Sequence, residues 1–276
     1  MKLLIVVALV ALQCRGGDAM NAEDRAVLER FLEHARKRNF EAIPAHRRVA
    51  ETARFFIGVP YRAGTLDEGE EERLVVNLRE MDCVTFVDNV LALAMLFPTR
   101  EGPPVDRFLE NLRRVRYRDG RIDGLASRLH YSSDWLFEMQ RQGILREVTR
   151  PENVPLTNKV SYLSAHHPAA RKDPETRARL AAVEQQINSR AKQHLPKARV
   201  AVKTGQLQEG DVVLITAARD GLDTSHLGFA LEQNGRVYLL HASSDARAVT
   251  ATTAPLRDYL MATPRHAGIM TARIIE

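Results

Sequence analysis

Cysteine is nearly missing from this chain: 276 residues contain two, Cys14 and Cys83. A disulfide framework is therefore excluded, and Cys14 falls in a segment that reads as a removable leader, which leaves one thiol in the mature protein. A lone thiol in an oxidising compartment is a liability unless it is used. Aromatics are sparse at 6%, with a single tryptophan, and no dense Lys/Arg cluster is interleaved with them. Nucleic acid is therefore not expected as a partner. The longest apolar run, residues 3–12, is too short to span a bilayer, so no stable membrane insertion is expected. Internal repeats, low-complexity stretches and clear linkers are also missing.

The first nineteen residues supply a lysine, the apolar run, and small residues at Gly17 and Ala19. This is the pattern of a secretory signal cleaved after about Ala19. A lipoprotein anchored at Cys14 is the weaker reading, because Gln13 stands where a small residue belongs. The expectation is an exported protein, periplasmic or secreted, whose residues 20–276 form one domain. Loss of residues 1–19 lowers the formal charge from +5 to +4, which suits an anionic partner without specifying one.

Helical spacing predicts helices over residues 21–40, 45–57 and 105–115, a helix carrying Trp135, Leu136 and Met139 capped by Ser132 or Ser133, and a long one over 175–193. The acidic run 67–72 reads as a solvated loop and residues 117–131 as a long loop of the kind that often carries function. Short strands are expected at 74–76, 144–148 and 160–163. From Val200 the pattern turns to β: a run at 212–215, a hairpin of 226–231 and 237–241 turning at Asn234-Gly235, a short helix at 255–260 and a last strand at 269–274. Helices first and a meander later, around one core, indicate an α+β domain.

The chemistry gathers on residues 74–94, LVVNLREMDCVTFVDNVLALA. Asp82 reads as an N-cap, and Val84, Phe86, Val87, Val90, Leu91 and Ala94 follow with helical spacing. Cys83 then sits at a helix N-terminus, where unpaired N–H groups and the macrodipole favour a thiolate. His226 starts one hairpin strand and His241 ends the other, so the two approach at the hairpin's open end. A helix-terminal cysteine, a strand histidine and a second polar group orienting it form the triad logic of papain-like enzymes.

Tyr61, Asp82-Cys83, Ser225-His226-Leu227-Gly228 and His241, in this order, resemble the NlpC-type, papain-like cell-wall cysteine hydrolases. The strings GVPYRAGT, LVVNLREMDCVTFVDNVLALA, DGLASRLHYSSDW, GLDTSHLGFA and LLHASS are similar to that superfamily's N-acetylmuramoyl-L-alanine amidase-like branch. The resemblance runs from about Ala45 to the C-terminus. It implies an NlpC-type fold, with N-terminal helices packed on a C-terminal antiparallel sheet and a helical insertion over about 97–195. It also implies Cys83 as nucleophile, His226 as base and then acid, His241 as the group fixing the imidazole, and muropeptides as substrates. No metal or other cofactor is implied. Val84-Thr85 follows the Asp-Cys pair where the commoner endopeptidases have Ser-Gly.

Tyr61 bonds either to substrate or to the site backbone, Asp82 either caps the helix or meets an amine, and Ser225 is either a turn residue or a ligand. Asn77, Arg128, Tyr131, Ser132 and Trp135 either line a sugar or peptide pocket or serve as packing and surface residues. Three other functions compete. A D,L-endopeptidase is favoured by the Tyr61 and Asp82 pair. A zinc amidase would need His166-His167 with His194 or His130, although adjacent strand histidines face opposite ways. A wall-fragment binding protein would need no nucleophile.

Overall fold

The chain opens with two helices that hide one face each. α1 (Ala22–Lys37) starts where the Asn21 side chain accepts the Asp24 N–H at 2.7 Å, and buries Val27, Leu28, Phe31 and Ala35. α2 (Ala45–Phe55) buries Val49, Ala50 and Ala53. The structure is a computed structural model describing residues 20–69, 71–148, 150–201 and 207–275; the expected signal segment, residues 1–19, lies outside them.

α3 (Cys83–Ala94) differs from both, because every residue from Thr85 onward is buried. A helix apolar on all sides belongs at the centre of a domain. Inside it, Arg116 Nε donates to Asp88 at 2.8 Å and Asn89 Nδ2 to the Asn77 carbonyl at 2.9 Å, while Asn89 Oδ1 is buried without a partner. Arg116 comes from α4 (Pro104–Arg116), and removing either member of the buried Asp88–Arg116 pair should cost about 3–5 kcal/mol. α5 (Ser132–Arg141), the short α6 (Tyr162–His166) and α7 (Pro168–Lys172), and α8 (Pro174–Ser189) follow, and α9 (Leu256–Ala262) lies between the last strands.

The strands are β1 (Leu145–Glu147), β2 (Val154–Pro155), β3 (Gln193–Pro196), β4 (Val212–Ala217), β5 (Thr224–Gln233), β6 (Arg236–Ser243), β7 (Ala248–Ala251) and β8 (His266–Ile274). They form one antiparallel sheet in the order β2-β3-β8-β4-β5-β6-β7, with β1 also paired to β8. Alternation sends Leu227, Phe229 and Leu231 of β5 to the face covered by α2 and α3, where Phe86 and Phe229 meet edge to face at 5.5 Å. Ala230, Val213, Ile215 and Ile269 face the other side, under α9.

Several expectations are corrected. Residues 74–76 are extended but join no ladder; Arg116 Nη1 takes the Val75 carbonyl instead, at 2.5 Å. Val160 makes a single bridge to Gly221, and α6 begins where a strand was expected to continue. α8 stops at Ser189, so that Gln193–Pro196 is free to pair with β2 and β8. Neither Ser132 nor Ser133 caps α5; the first-turn N–H of Ser133 goes to Asp223 Oδ2 at 2.6 Å, a partner ninety positions away. The acidic loop is not wholly solvated, since Glu72 is buried and accepts the Tyr117 hydroxyl at 2.8 Å.

Candidate active site

Cys83 is the first residue of α3, placed there by a capping box. Asp82 Oδ1 accepts the Thr85 N–H at 2.8 Å, while Thr85 Oγ1 accepts the Asp82 N–H at 2.9 Å. Both termini of this small motif are satisfied, so the first turn is held in one conformation. The Asp82 carboxylate is thereby engaged in the cap.

The backbone N–H groups of Leu227, Cys83 itself and Val84 act on the sulfur electrostatically and draw its pKa down. Burial opposes them more strongly, the neighbouring Asp82 carboxylate adds to it, and the thiol is pushed up to about 12. The resting site therefore holds a thiol. This corrects the expectation of a thiolate: the helix terminus does supply N–H groups, but desolvation outweighs them.

His226 and His241 are joined across the β5–β6 hairpin, His226 Nε2 to His241 Nδ1 at 2.5 Å, with ring centroids 4.8 Å apart. The ladder pairs Phe229 with Leu240, which sets Gly228 opposite His241 and His226 on the diagonal of the same face. Gly228 is what makes this approach possible. A Cβ at that position would lie 2.6 Å from the Leu240 carbonyl oxygen and 3.1 Å from the His241 Cβ. Burial, with His241, His266 and Arg265 contributing, lowers the His226 pKa to about 3, and burial lowers His241 to about 4 against the pull of Asp245. Both rings are neutral at pH 7. No hydrogen bond joins Cys83 to His226; Leu227, the next residue of β5, is the one whose N–H lowers the Cys83 pKa.

Two residues that sequence reasoning missed extend the cluster. Tyr259 of α9 lies 5.7 Å from the His241 ring, and His266 at the start of β8 lies 5.5 Å from Tyr259. His266 is buried without a hydrogen-bond partner on either ring nitrogen, and burial first, then Arg265 and Lys197, lowers its pKa to about 4. No local signal marks them. Only the β4–β8 pairing brings the end of the chain beside the hairpin.

The other candidate residues divide. Tyr61 bridges Met81 beside Cys83, and burial, Cys83 and Asp82 raise its phenol pKa. Trp135 is buried, and Ser132 Oγ meets Thr224 Oγ1 at 2.6 Å; both line a small pocket with Val84 and Leu227. Ser225 is exposed on β5. Asn77 Oδ1 accepts the Arg79 and Glu80 N–H groups at 3.0 Å, forming a turn. Buried Arg128 pairs with Asp67 at 2.6 Å and Glu72 at 3.4 Å, and the Tyr131 hydroxyl donates to buried Glu184 at 2.7 Å. These three side chains are occupied by the protein itself.

The histidines of the zinc reading are scattered. His194 Nδ1 meets Thr216 Oγ1 at 2.8 Å, His166 stacks on Tyr162, and His130 and His167 are 6.3 Å apart. Among the described residues no group of three or more His, Cys, Asp or Glu could hold a metal ion, and no helix is long and apolar enough to cross a membrane.

A family model described as N-acetylmuramoyl-L-alanine amidase-like matches residues 51–269. Among solved structures, an N-acetylmuramoyl-L-alanine amidase from Bacteroides uniformis is 32% identical, with a TM-score of 0.78 over 84% of this chain and 99% of its own. A Bacteroides fragilis protein proposed to be a xylanase is 36% identical, with a TM-score of 0.75 over 80% and 99% of the two chains. A Legionella pneumophila protein at 22% identity shares the fold, with a TM-score of 0.68 over 92% and 96%. No curated protein matches the chain.

Proposed function

The chain belongs to the N-acetylmuramoyl-L-alanine amidase-like family, and from that premise we propose that it is a cysteine amidase of muropeptides, cutting the amide between N-acetylmuramic acid and L-alanine. The observation that carries the proposal is the bonded His226–His241 pair on β5 and β6, next to Leu227, whose N–H acts on Cys83 at the start of α3. In this reading the fold is of the papain-like NlpC type, and residues 20–276 act as one domain with the segment 97–195 inserted.

The geometry supports one assignment of the protons. His226 uses Nε2 toward His241, so Nδ1 is the nitrogen left for the thiol. An Nε2–H donated to His241 Nδ1 makes His226 Nδ1 the acceptor, and His241 the group that fixes that tautomer. Because the thiol is held high and the imidazole low, proton transfer from Cys83 to His226 accompanies attack on the lactyl carbonyl and does not precede it. The C–S bond forms as the carbonyl π electrons move to oxygen, which the Cys83 and Val84 N–H groups receive. Collapse expels the L-alanine amine, which takes the proton from His226. Water then gives a proton to neutral His226, attacks the thioester and releases the lactyl carboxylate, and the proton returns to the thiolate.

An exported enzyme, periplasmic or secreted, with its signal in residues 1–19, completes the reading. To test it, the mature protein and Cys83→Ala are incubated with a disaccharide-tripeptide and the products weighed by mass spectrometry. Intact disaccharide plus a peptide beginning with L-alanine, lost in the variant, is expected. Cleavage between the second and third stem residues would instead make the protein an endopeptidase, and equal activity in the variant would overturn the cysteine mechanism.

A further inference from the structure

Four rings gather on the α9 side of the sheet, and the proposed mechanism uses only two of them. From His226 the contacts run to His241 at 4.8 Å, then to Tyr259 at 5.7 Å and on to His266 at 5.5 Å, centroid to centroid. A bulge puts the last ring there. β8 pairs Gly268 with Thr216 but His266 with Ala217, so Ala267 is skipped and His266 turns to a face that simple alternation would deny it. It is 1% exposed, neither ring nitrogen has a partner, and the ring backs Tyr259.

Tyr259 is placed differently. α9 sinks Leu256 and Leu260 into the apolar core, while Tyr259 between them is only partly buried. Among the described residues its hydroxyl is bonded to no protein group, and it is not sealed from solvent as the His266 nitrogens are. Burial raises the phenol pKa against the pull of Arg265, and Asp245 and the Cys83 charge add to the rise. The phenol therefore keeps its proton at pH 7 and lies within electrostatic reach of Cys83.

Hydrolysis of a thioester has a need that its formation lacks. The attacking water gives one proton to His226 Nδ1 and aims a lone pair at the acyl carbon, which leaves its second O–H without an acceptor. An unbonded oxygen on the histidine side of the site meets that need.

We propose that Tyr259 is a catalytic residue of the hydrolytic half-reaction, its hydroxyl oxygen accepting the second O–H of the attacking water. This rests on the amidase reading. The O–C bond forms as the water's proton passes to His226 and the carbonyl π electrons move to oxygen. Their return breaks the C–S bond, the thiolate takes the proton back from His226, and the carboxylic acid formed ionises in water. Tyr259 keeps its own proton throughout.

The experiment compares Tyr259→Phe with the unaltered enzyme on disaccharide-tripeptide. The variant loses an oxygen that no protein group uses, so its melting temperature should stay within about 2 °C. Both kcat and KM should fall about tenfold, with kcat/KM within about twofold, because only the step after amine release is slowed. KM does not depend on how much of the variant is folded. Quenched variant weighed by mass spectrometry should carry the acyl group on most molecules, and hydroxylamine, a stronger nucleophile than water, should raise its kcat more than that of the unaltered enzyme. A fall in kcat/KM as large as that in kcat, or an unchanged kcat without acyl-enzyme, overturns the assignment and leaves the amidase reading standing. An unaltered enzyme that cleaves nothing, or a Cys83→Ala variant that cleaves equally well, overturns both.

Discussion

The two faces of the sheet are built on opposite terms. Under α3 the face is apolar, with Phe229, Leu227 and Leu231 of β5 packed on Phe86 and Val87. The face under α9 carries the contacting chain of rings from His226 through His241 and Tyr259 to His266, three of them titratable imidazoles. One strand serves both, since consecutive residues of β5 belong to different faces. The α3 face supplies stability throughout, while the α9 face, apolar over Val213, Ile215, Ala230 and Ile269, gives some of it up at one end by burying imidazoles that water would have charged.

That division can be broken by experiment. The largest effect on activity should come from His226→Ala, which is expected to lower kcat at least about a thousandfold while the melting temperature moves by only a few degrees. Its counterpart, Phe229→Ala, should cost about 3–5 kcal/mol in denaturant unfolding, with kcat per folded molecule retained. Reversal of these two outcomes would show that the faces do not divide their roles. Gly228→Ala touches both faces at once, because its Cβ would press on the Leu240 carbonyl. A loss of about 1–3 kcal/mol is expected, with a fall in kcat larger than the lost folded fraction explains. An unchanged kcat would mean that the histidines tolerate a wider hairpin.

Acid should act on the buried imidazoles. His226 and His130 are lowered to about 3 and His241 and His266 to about 4, so the unfolded chain takes up protons near the ordinary 6.5 that the folded chain refuses. Stability should therefore fall as pH drops from about 6.5 toward 4, visible in melting temperatures across that window. The acid limb of kcat/KM, set by protonation of His226, should lie below pH 5; a limb near 6.5 would show that the ring is solvated. The smallest effect belongs to the cap: Asp82→Ala should cost about 1 kcal/mol.

How much of this was legible depends on how local each feature is. α3, its Asp82 cap and the Asn234-Gly235 hairpin are written in adjacent residues, and the structure places Cys83, His226 and His241 accordingly. Thr85 as the second half of the cap could have been read too, three residues beyond Asp82. The segment 74–76 has strand composition, yet its Val75 carbonyl goes to an arginine on α4, a tertiary choice invisible in a β-branched run. The cap of α5 comes from Asp223, and Tyr259 and His266 reach the site only through strand order. Arg128 and Tyr131 lie in a polar loop that suggested a pocket lining; Arg128 lines a cavity of about 420 Å³, and their partners within the protein, Asp67, Glu72 and Glu184, come from other segments and could not be read locally.

The β5–β6 hairpin has one more consequence, which concerns time. A hairpin with a two-residue turn closes within microseconds, because its contacts are local. The two imidazoles can therefore meet early in folding, whereas Cys83 lies far upstream and joins them only when α3 docks against β5. Long-range docking of this kind is the slow part of a search through chain conformations. On the proposed mechanism, the thiol joins the histidines only through this long-range docking, and a half-folded chain would carry the base without the nucleophile.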